Sequence, residues 1–279
     1  MSTLKAIFFD QDGVIIDTEK DGHRIAFNEA FKAFGYDFEW DVEQYHRLLQ
    51  ISGGKERMRH YFHEKSLFGD LLKSEEDEFI KDLHGKKTEI FISLIESGKL
   101  PLRPGIKRIM KEAMAKGLKL GVCTTANERS AHAIARGILN EIEFEFVLAG
   151  EVVSKKKPDP EIYLLALRKS GLKPNQCIVV EDSRNGILAA KAAGLRVVAT
   201  TNVYTEQEDL SDADIILTTL GDPGSEKGIL KKGDKERLEF DGVLHVDQLM
   251  NYFSIGKPLC ESPGLKHGLS QHLRLFRKS

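Results

Sequence analysis

An apolar run that ends on two carboxylates, Ala6-Ile7-Phe8-Phe9-Asp10-Gln11-Asp12-Gly13-Val14, constrains this 279-residue chain more than any other stretch. Its apolar half reads as a strand buried on both faces, the kind found in parallel sheets. Asp10 then stands at the carboxyl end of that strand and Asp12 in the turn behind it, where Gly13 relieves backbone crowding. In open α/β sheets, ligands gather at those strand ends. A lone Asp-x-Asp-Gly is equally an ordinary turn, so the rest of the chain must decide.

No convincing strand follows between Gly13 and Leu118. Phe27, Ala30, Phe31 and Phe34 recur at helical spacing, and the stretches 41–49, 55–62 and 76–95 read as helices too. A strand followed by some eighty residues of helix is no simple β–α–β unit, and points to a helical domain inserted after the first strand. Lys99-Leu100-Pro101-Leu102-Arg103-Pro104-Gly105 marks the return. Strands expected at 118–123, 146–148, 177–180, 196–199 and 214–217 then alternate with helices at 106–116, 128–138, 160–170 and 186–193. The expected fold is α/β, a Rossmann-like parallel-sheet core with an inserted all-helical cap domain. The core takes residues 1–20 and 98–256, the cap 21–97, and 257–279 form a basic tail. Past Gly221 the pattern weakens to a Gly- and charge-rich stretch and one more amphipathic helix at 243–253.

A net charge of −2 provides no broad field for nucleic acid or an anionic membrane, so an anionic ligand must be held by a local cluster. Cys123, Cys177 and Cys260 form no C-x-x-C pair, which fits a reducing compartment. No apolar run is long enough to span a bilayer, and Met1–Lys5 leads straight into the strand. The expectation is a cytoplasmic monomer, or a plastid stromal protein had a transit peptide been removed, that binds neither nucleic acid nor membrane.

Four polar clusters follow successive strands. The first is the Asp10–Asp12 pair. Thr124-Thr125-Ala126-Asn127, at a helix start, offers hydroxyls and N–H groups to an anion such as phosphate. Lys155-Lys156-Lys157-Pro158-Asp159-Pro160 brings three cations on a stiffened loop. Glu181-Asp182-Ser183 is a second acidic pair. Each alone has a bland explanation as a cap or a solvated loop. Two acidic pairs at one sheet edge, however, repel unless a cation sits between them, and Mg²⁺ is the simplest choice.

In this order the clusters resemble the four motifs of the haloacid dehalogenase superfamily of phosphohydrolases and phosphomutases, over residues 4 to 220. The resemblance implies that Asp10 is the nucleophile taking the phosphoryl group and Asp12 the general acid and base. It implies further that Thr124 binds phosphoryl oxygens, that Lys157 balances charge, and that Glu181 and Asp182 complete a Mg²⁺ site with Asp10 and the Asp12 carbonyl. Ala126 stands where the family pattern has serine.

Within the cap, Ile51-Ser52-Gly53-Gly54-Lys55-Glu56-Arg57 places two glycines at a helix start with two cations in the first turn. That arrangement can bind an anion, such as a second phosphate, or be a plain glycine turn. Glu19-Lys20-Asp21-Gly22-His23-Arg24 and Gly53-Gly54-Lys55-Glu56-Arg57-Met58 resemble the cap signatures of the CbbY-type branch, which includes xylulose-1,5-bisphosphate phosphatases. By that resemblance Glu19, His23, Lys55 and Arg57 contact a sugar and its distal phosphate. The expected activity is therefore a Mg²⁺-dependent phosphatase acting on a small sugar bisphosphate. The alternatives are a β-phosphoglucomutase-type mutase and a non-catalytic sugar-phosphate-binding protein, the latter opposed by the intact Asp10 and Asp12.

Overall fold

The computed structural model describes residues 3–51, 53–98, 100–150 and 152–254; the basic tail at 257–279 and Cys260 lie outside them. Seven strands form one sheet: β1 (Ala6–Phe9), β2 (Lys119–Cys123), β3 (Phe146–Leu148), β4 (Cys177–Glu181), β5 (Arg196–Thr200), β6 (Ile215–Leu217) and β7 (Leu230–Lys232), in the order β3-β2-β1-β4-β5-β6-β7. All neighbours run parallel except β7, which pairs antiparallel with β6 at the edge. The fold is Rossmann-like, with helices on both faces.

β1 is central, and all four of its residues are buried. Ile7 and Phe9 face one apolar layer with Ile109, Leu120 and Ile178, while Ala6 and Phe8 face the other with Tyr163, Val179 and Ile187. This two-sided burial is why the strand reads as a continuous apolar run. The strand order reverses direction between β1 and β4, which opens a crevice at their carboxyl ends.

Between β1 and Leu100 every described element is helical: a π-helical turn (Thr18–His23), α1 (Arg24–Ala33), α2 (Val42–Leu49), α3 (Gly54–Glu64) and α4 (Lys73–Glu96). They enclose an aromatic cluster of their own, with Phe27, Phe31, Trp40, Tyr45 and Phe62 all essentially buried. The remaining helices are α5 (Ile106–Ala115), α6 (Glu128–Ala133, continuing as a π turn to Ile138), α7 (Glu161–Ser170), α8 (Arg184–Ala192), α9 (Lys235–Leu238) and α10 (Val246–Ser254). No described helix is long and apolar enough to cross a membrane.

Two expectations need correcting. The sheet is not wholly parallel, because the charge-rich stretch after Gly221 supplies β7 and α9. Helix α8 starts at Arg184, ahead of the expected 186, because the Ser183 hydroxyl accepts from the Gly186 N–H (3.2 Å) and caps it.

Candidate active site

Register builds the site. Phe9 pairs with Val122 on one side and Val180 on the other, so Asp10, Cys123 and Glu181 follow at one level of the sheet edge. The Asp10 N–H donates to the Val180 carbonyl at 2.9 Å, extending the ladder to the carboxylate itself. From the loop after β3, the Lys157 ammonium donates to Asp10 Oδ1, to Glu181 Oε1 and, at 3.0 Å, to the Cys123 carbonyl. Tyr163 on α7 donates its hydroxyl to the same Glu181 oxygen and holds its ring 5.2 Å from the Lys157 nitrogen. Asp182 Oδ2 accepts from Asn202 Nδ2 at 2.7 Å. Two glycines make room: a Cβ at Gly13, whose φ is +81°, would collide with the Asp182 carboxylate, and one at Gly186 with the Glu181 carboxylate.

Asp10, Glu181 and Asp182 are all buried, with ligand oxygens within 4.8 Å of one another. Burial raises the Asp10 carboxyl to about 8; Lys157 opposes the rise while Glu181 and Asp12 add to it. Burial, then Asp10 and Glu181, push Asp182 well above the usual carboxylate range. Burial works against the charge on Lys157, yet Asp10 and Glu181 overcome it and keep the ammonium protonated. With all three carboxylates ionised, the one ammonium leaves the cluster a net charge of −2, which a divalent cation would offset. The donors are all hard oxygens, so these residues fit Mg²⁺. The Asp12 carboxylate stands outside that group: its Oδ1 accepts from the Thr18 hydroxyl at 2.7 Å, and burial raises its pKa.

Of the second polar cluster, Thr124 is buried beside the strand end, and its hydroxyl accepts from the Ala126 N–H at 3.0 Å. Thr125 is half-buried, while Asn127 is exposed and uses its side-chain oxygen to cap α6 through the Arg129 N–H (2.9 Å).

The cap residues divide. Tyr45 donates to Glu19 Oε2 at 2.5 Å and accepts from Arg57 at 3.2 Å. Arg57 is buried and also donates to the carbonyls of Leu48 and Ile51. His23 stacks on Phe91, with ring centres 3.8 Å apart, and its Nδ1 lies 2.8 Å from the Lys87 ammonium. Burial, with Lys87 and Arg57 adding, drives the His23 pKa well below its usual value. Lys55 goes elsewhere. Two residues along a helix point to opposite sides, and Lys55 is exposed on a surface depression of about 590 Å³ with Phe34, Lys81 and His84. The structure therefore does not bring Lys55 and Arg57 together. Gly53, at φ +92°, turns the chain into α3, and Gly54 packs so closely on His84 that a Cβ would stand 2.8 Å from its Nε2.

Five residues here were missed in the sequence: Tyr45, Lys87, Tyr163, Asn202 and Arg103. Lys87 had a readable signal, since Leu83, Lys87 and Phe91 recur every four residues along the buried stripe of α4. Arg103 donates to the Gly13, Thr201 and Thr218 carbonyls and to the Thr200 hydroxyl, tying the returning chain to the strand ends. Nothing in its proline-flanked segment signals this.

Residues 4–194 match the family model for haloacid dehalogenase-like hydrolases. A CBBY-like protein of Arabidopsis thaliana is 47% identical over 81% of this chain and 73% of its own length. A phosphorylated carbohydrates phosphatase of Thermotoga maritima is 30% identical over 77% of this chain and 90% of its own. The crystal structure of an Asp-to-Asn variant of CbbY from Rhodobacter sphaeroides, in complex with xylulose-(1,5)bisphosphate, superposes with a TM-score of 0.60 at 38% identity, covering 79% of this chain and 96% of that one. The chain belongs to the haloacid dehalogenase-like hydrolase family, among its phosphatases.

Proposed function

We propose that the protein is a Mg²⁺-dependent phosphatase of a small sugar bisphosphate, working through a phosphoryl group carried on Asp10. The observation that carries this reading is the convergence of Asp10, Lys157, Glu181 and Asp182 at the sheet's crevice, next to cap groups of mixed charge. Phosphate monoesters need up to ~10²¹-fold acceleration over water, so an anionic nucleophile must be brought against an anionic ester.

The Asp10 carboxylate attacks phosphorus, and the bond to the sugar oxygen breaks. Asp12, kept protonated to higher pH by burial and oriented by Thr18, gives the leaving oxygen its proton. Water then attacks the aspartyl phosphate as Asp12 takes a proton back, which splits one hard step into two easier ones. Lys157 holds Asp10 in place and offsets its charge, and Thr124 offers a hydroxyl to the phosphoryl oxygens. Mg²⁺ held by Asp10, Glu181 and Asp182 would supply the positive charge that makes the anionic approach tolerable.

In the cap, Glu19 is an acceptor for sugar hydroxyls, while Arg57 and Lys87 supply the positive field for the distal phosphate. The 38% identical CbbY neighbour, solved with xylulose-(1,5)bisphosphate, supports this substrate class. The test is release of inorganic phosphate with Mg²⁺ from xylulose 1,5-bisphosphate, ribulose 1,5-bisphosphate and β-glucose 1-phosphate. Strong preference for a bisphosphate, with net phosphate release, is expected. Isomerised sugar phosphate without net release would replace the phosphatase by a mutase.

A further inference from the structure

We propose that Tyr204, in the turn after β5, is a positioning residue that seats the cap on the core and so places Glu19 at the reaction centre. The turn is rigid on the core side. Asn202 Oδ1 accepts from the Tyr204 and Thr205 N–H groups at 2.9 and 3.1 Å, while its Nδ2 donates to Asp182 at 2.7 Å. One asparagine side chain thus ties the turn to the acidic cluster. On the cap side, the Tyr204 ring meets Tyr45 and His46 of α2 edge-on, at 6.0 and 5.4 Å between ring centres. Tyr45 is the residue whose hydroxyl donates to Glu19 and accepts from Arg57. A continuous path of contacts therefore runs from Asp182 through Asn202, Tyr204 and Tyr45 to Glu19.

The ring does this, not the hydroxyl: among the described residues the buried Tyr204 oxygen has no hydrogen-bond partner. Edge-on aromatic pairs stabilise beyond burial, and two such contacts together favour the seated cap by roughly five-fold or more. Removing an unpartnered buried hydroxyl has little cost, since no bond is lost.

The inference rests on the bisphosphatase reading for its kinetic test, and a second readout stands apart from it. Tyr204→Phe is expected to match wild type. Tyr204→Ala is expected to raise KM for xylulose 1,5-bisphosphate at least five-fold, with a much smaller change on p-nitrophenyl phosphate, and to speed amide exchange along α2. His46→Ala, which removes the cap half of the contact, should speed the same amides to a lesser degree and serves if Tyr204→Ala folds poorly. Unchanged α2 exchange in Tyr204→Ala, or in His46→Ala when the first variant fails to fold, would overturn the proposal. So would a Phe variant as impaired as Ala. If wild type shows no preference for the bisphosphate, the functional reading falls, and α2 exchange alone decides the role of Tyr204.

Discussion

Replacing Lys87 by Met separates what the cap needs for stability from what it needs for binding. Lys87 is 7% exposed, with its ammonium 4.8 and 5.0 Å from the ring centres of Phe27 and Phe91. Among the described residues no carboxylate touches it. Burial, with Arg57 adding and Glu19 opposing, brings its pKa from 10.5 down to about 8, a penalty on the charged form of roughly 3 kcal/mol. Met fills a similar volume and removes that penalty, as buried charges replaced by apolar side chains often do. His23 Nδ1 loses its partner at 2.8 Å, which costs roughly 1 kcal/mol, and the cation–π contacts go too. The expected balance is a gain of up to about 1 kcal/mol, or a Tm rise of no more than roughly 2–4 °C at pH 7.

The sign with pH follows from linkage. Between pH 8 and 10.5 the unfolded chain keeps a proton on Lys87 that the folded chain has lost, so wild-type stability at this site rises with pH. The advantage of Lys87→Met should therefore shrink from pH 7 to pH 10. Function should move the other way. A charge-assisted contact to phosphate contributes about 1.5–3 kcal/mol, so kcat/KM for a sugar bisphosphate should fall roughly 10–150-fold, while p-nitrophenyl phosphate changes little. Thermal melts and steady-state kinetics on the two substrates check both halves. A Tm that drops by several degrees, or equal kinetic losses on both substrates, would refute the reasoning.

Other consequences can be checked on the same preparations. Gly186→Ala drives a methyl into the Glu181 carboxylate, which Lys157 and Tyr163 hold in place; phosphatase activity should fall by more than tenfold, with a higher Mg²⁺ requirement by titration. Arg103→Ala leaves the Gly13, Thr201 and Thr218 carbonyls without their donor; at about 1–3 kcal/mol for each stranded group, the denaturation midpoint should drop sharply. Burial works to raise the Glu112 pKa, but the Val246 N–H, Arg108 and His245 overcome it and hold the group low. Its contribution is thus present above the usual glutamate pKa and lost as pH falls through the lowered one, and Glu112→Gln should flatten the Tm profile below about pH 5.

The acidic edge of the sheet was legible in the sequence because strand periodicity and polar clusters coincide there. β1 is Ala6–Phe9 as expected, and Asp10, Lys157, Glu181 and Asp182 meet where the motif order put them. The groups that brace this edge were not legible. Tyr163 and Arg103 act through contacts far apart in sequence, and their local surroundings are those of an ordinary amphipathic helix and a proline loop. β7 has three residues and two lysines, so its place in the sheet comes from pairing with β6 and not from its own pattern. In the cap, the glycine pair at Gly53 and Gly54 marks Arg57, which is buried on α3, and Lys55, which is not; the second buried cation, Lys87, stands on α4, where a lysine replaces an apolar residue on the helix's inner stripe.

The most direct test of the central claim is Asp10→Asn, assayed for phosphate release from xylulose 1,5-bisphosphate and, by calorimetry, for binding of the same compound in the presence of Mg²⁺. With Asp10 as the nucleophile, turnover falls to background while the sugar bisphosphate still binds and the fold is unchanged. Near-normal phosphate release by a folded Asp10→Asn protein would contradict the covalent route and the assignment of Asp10 with it.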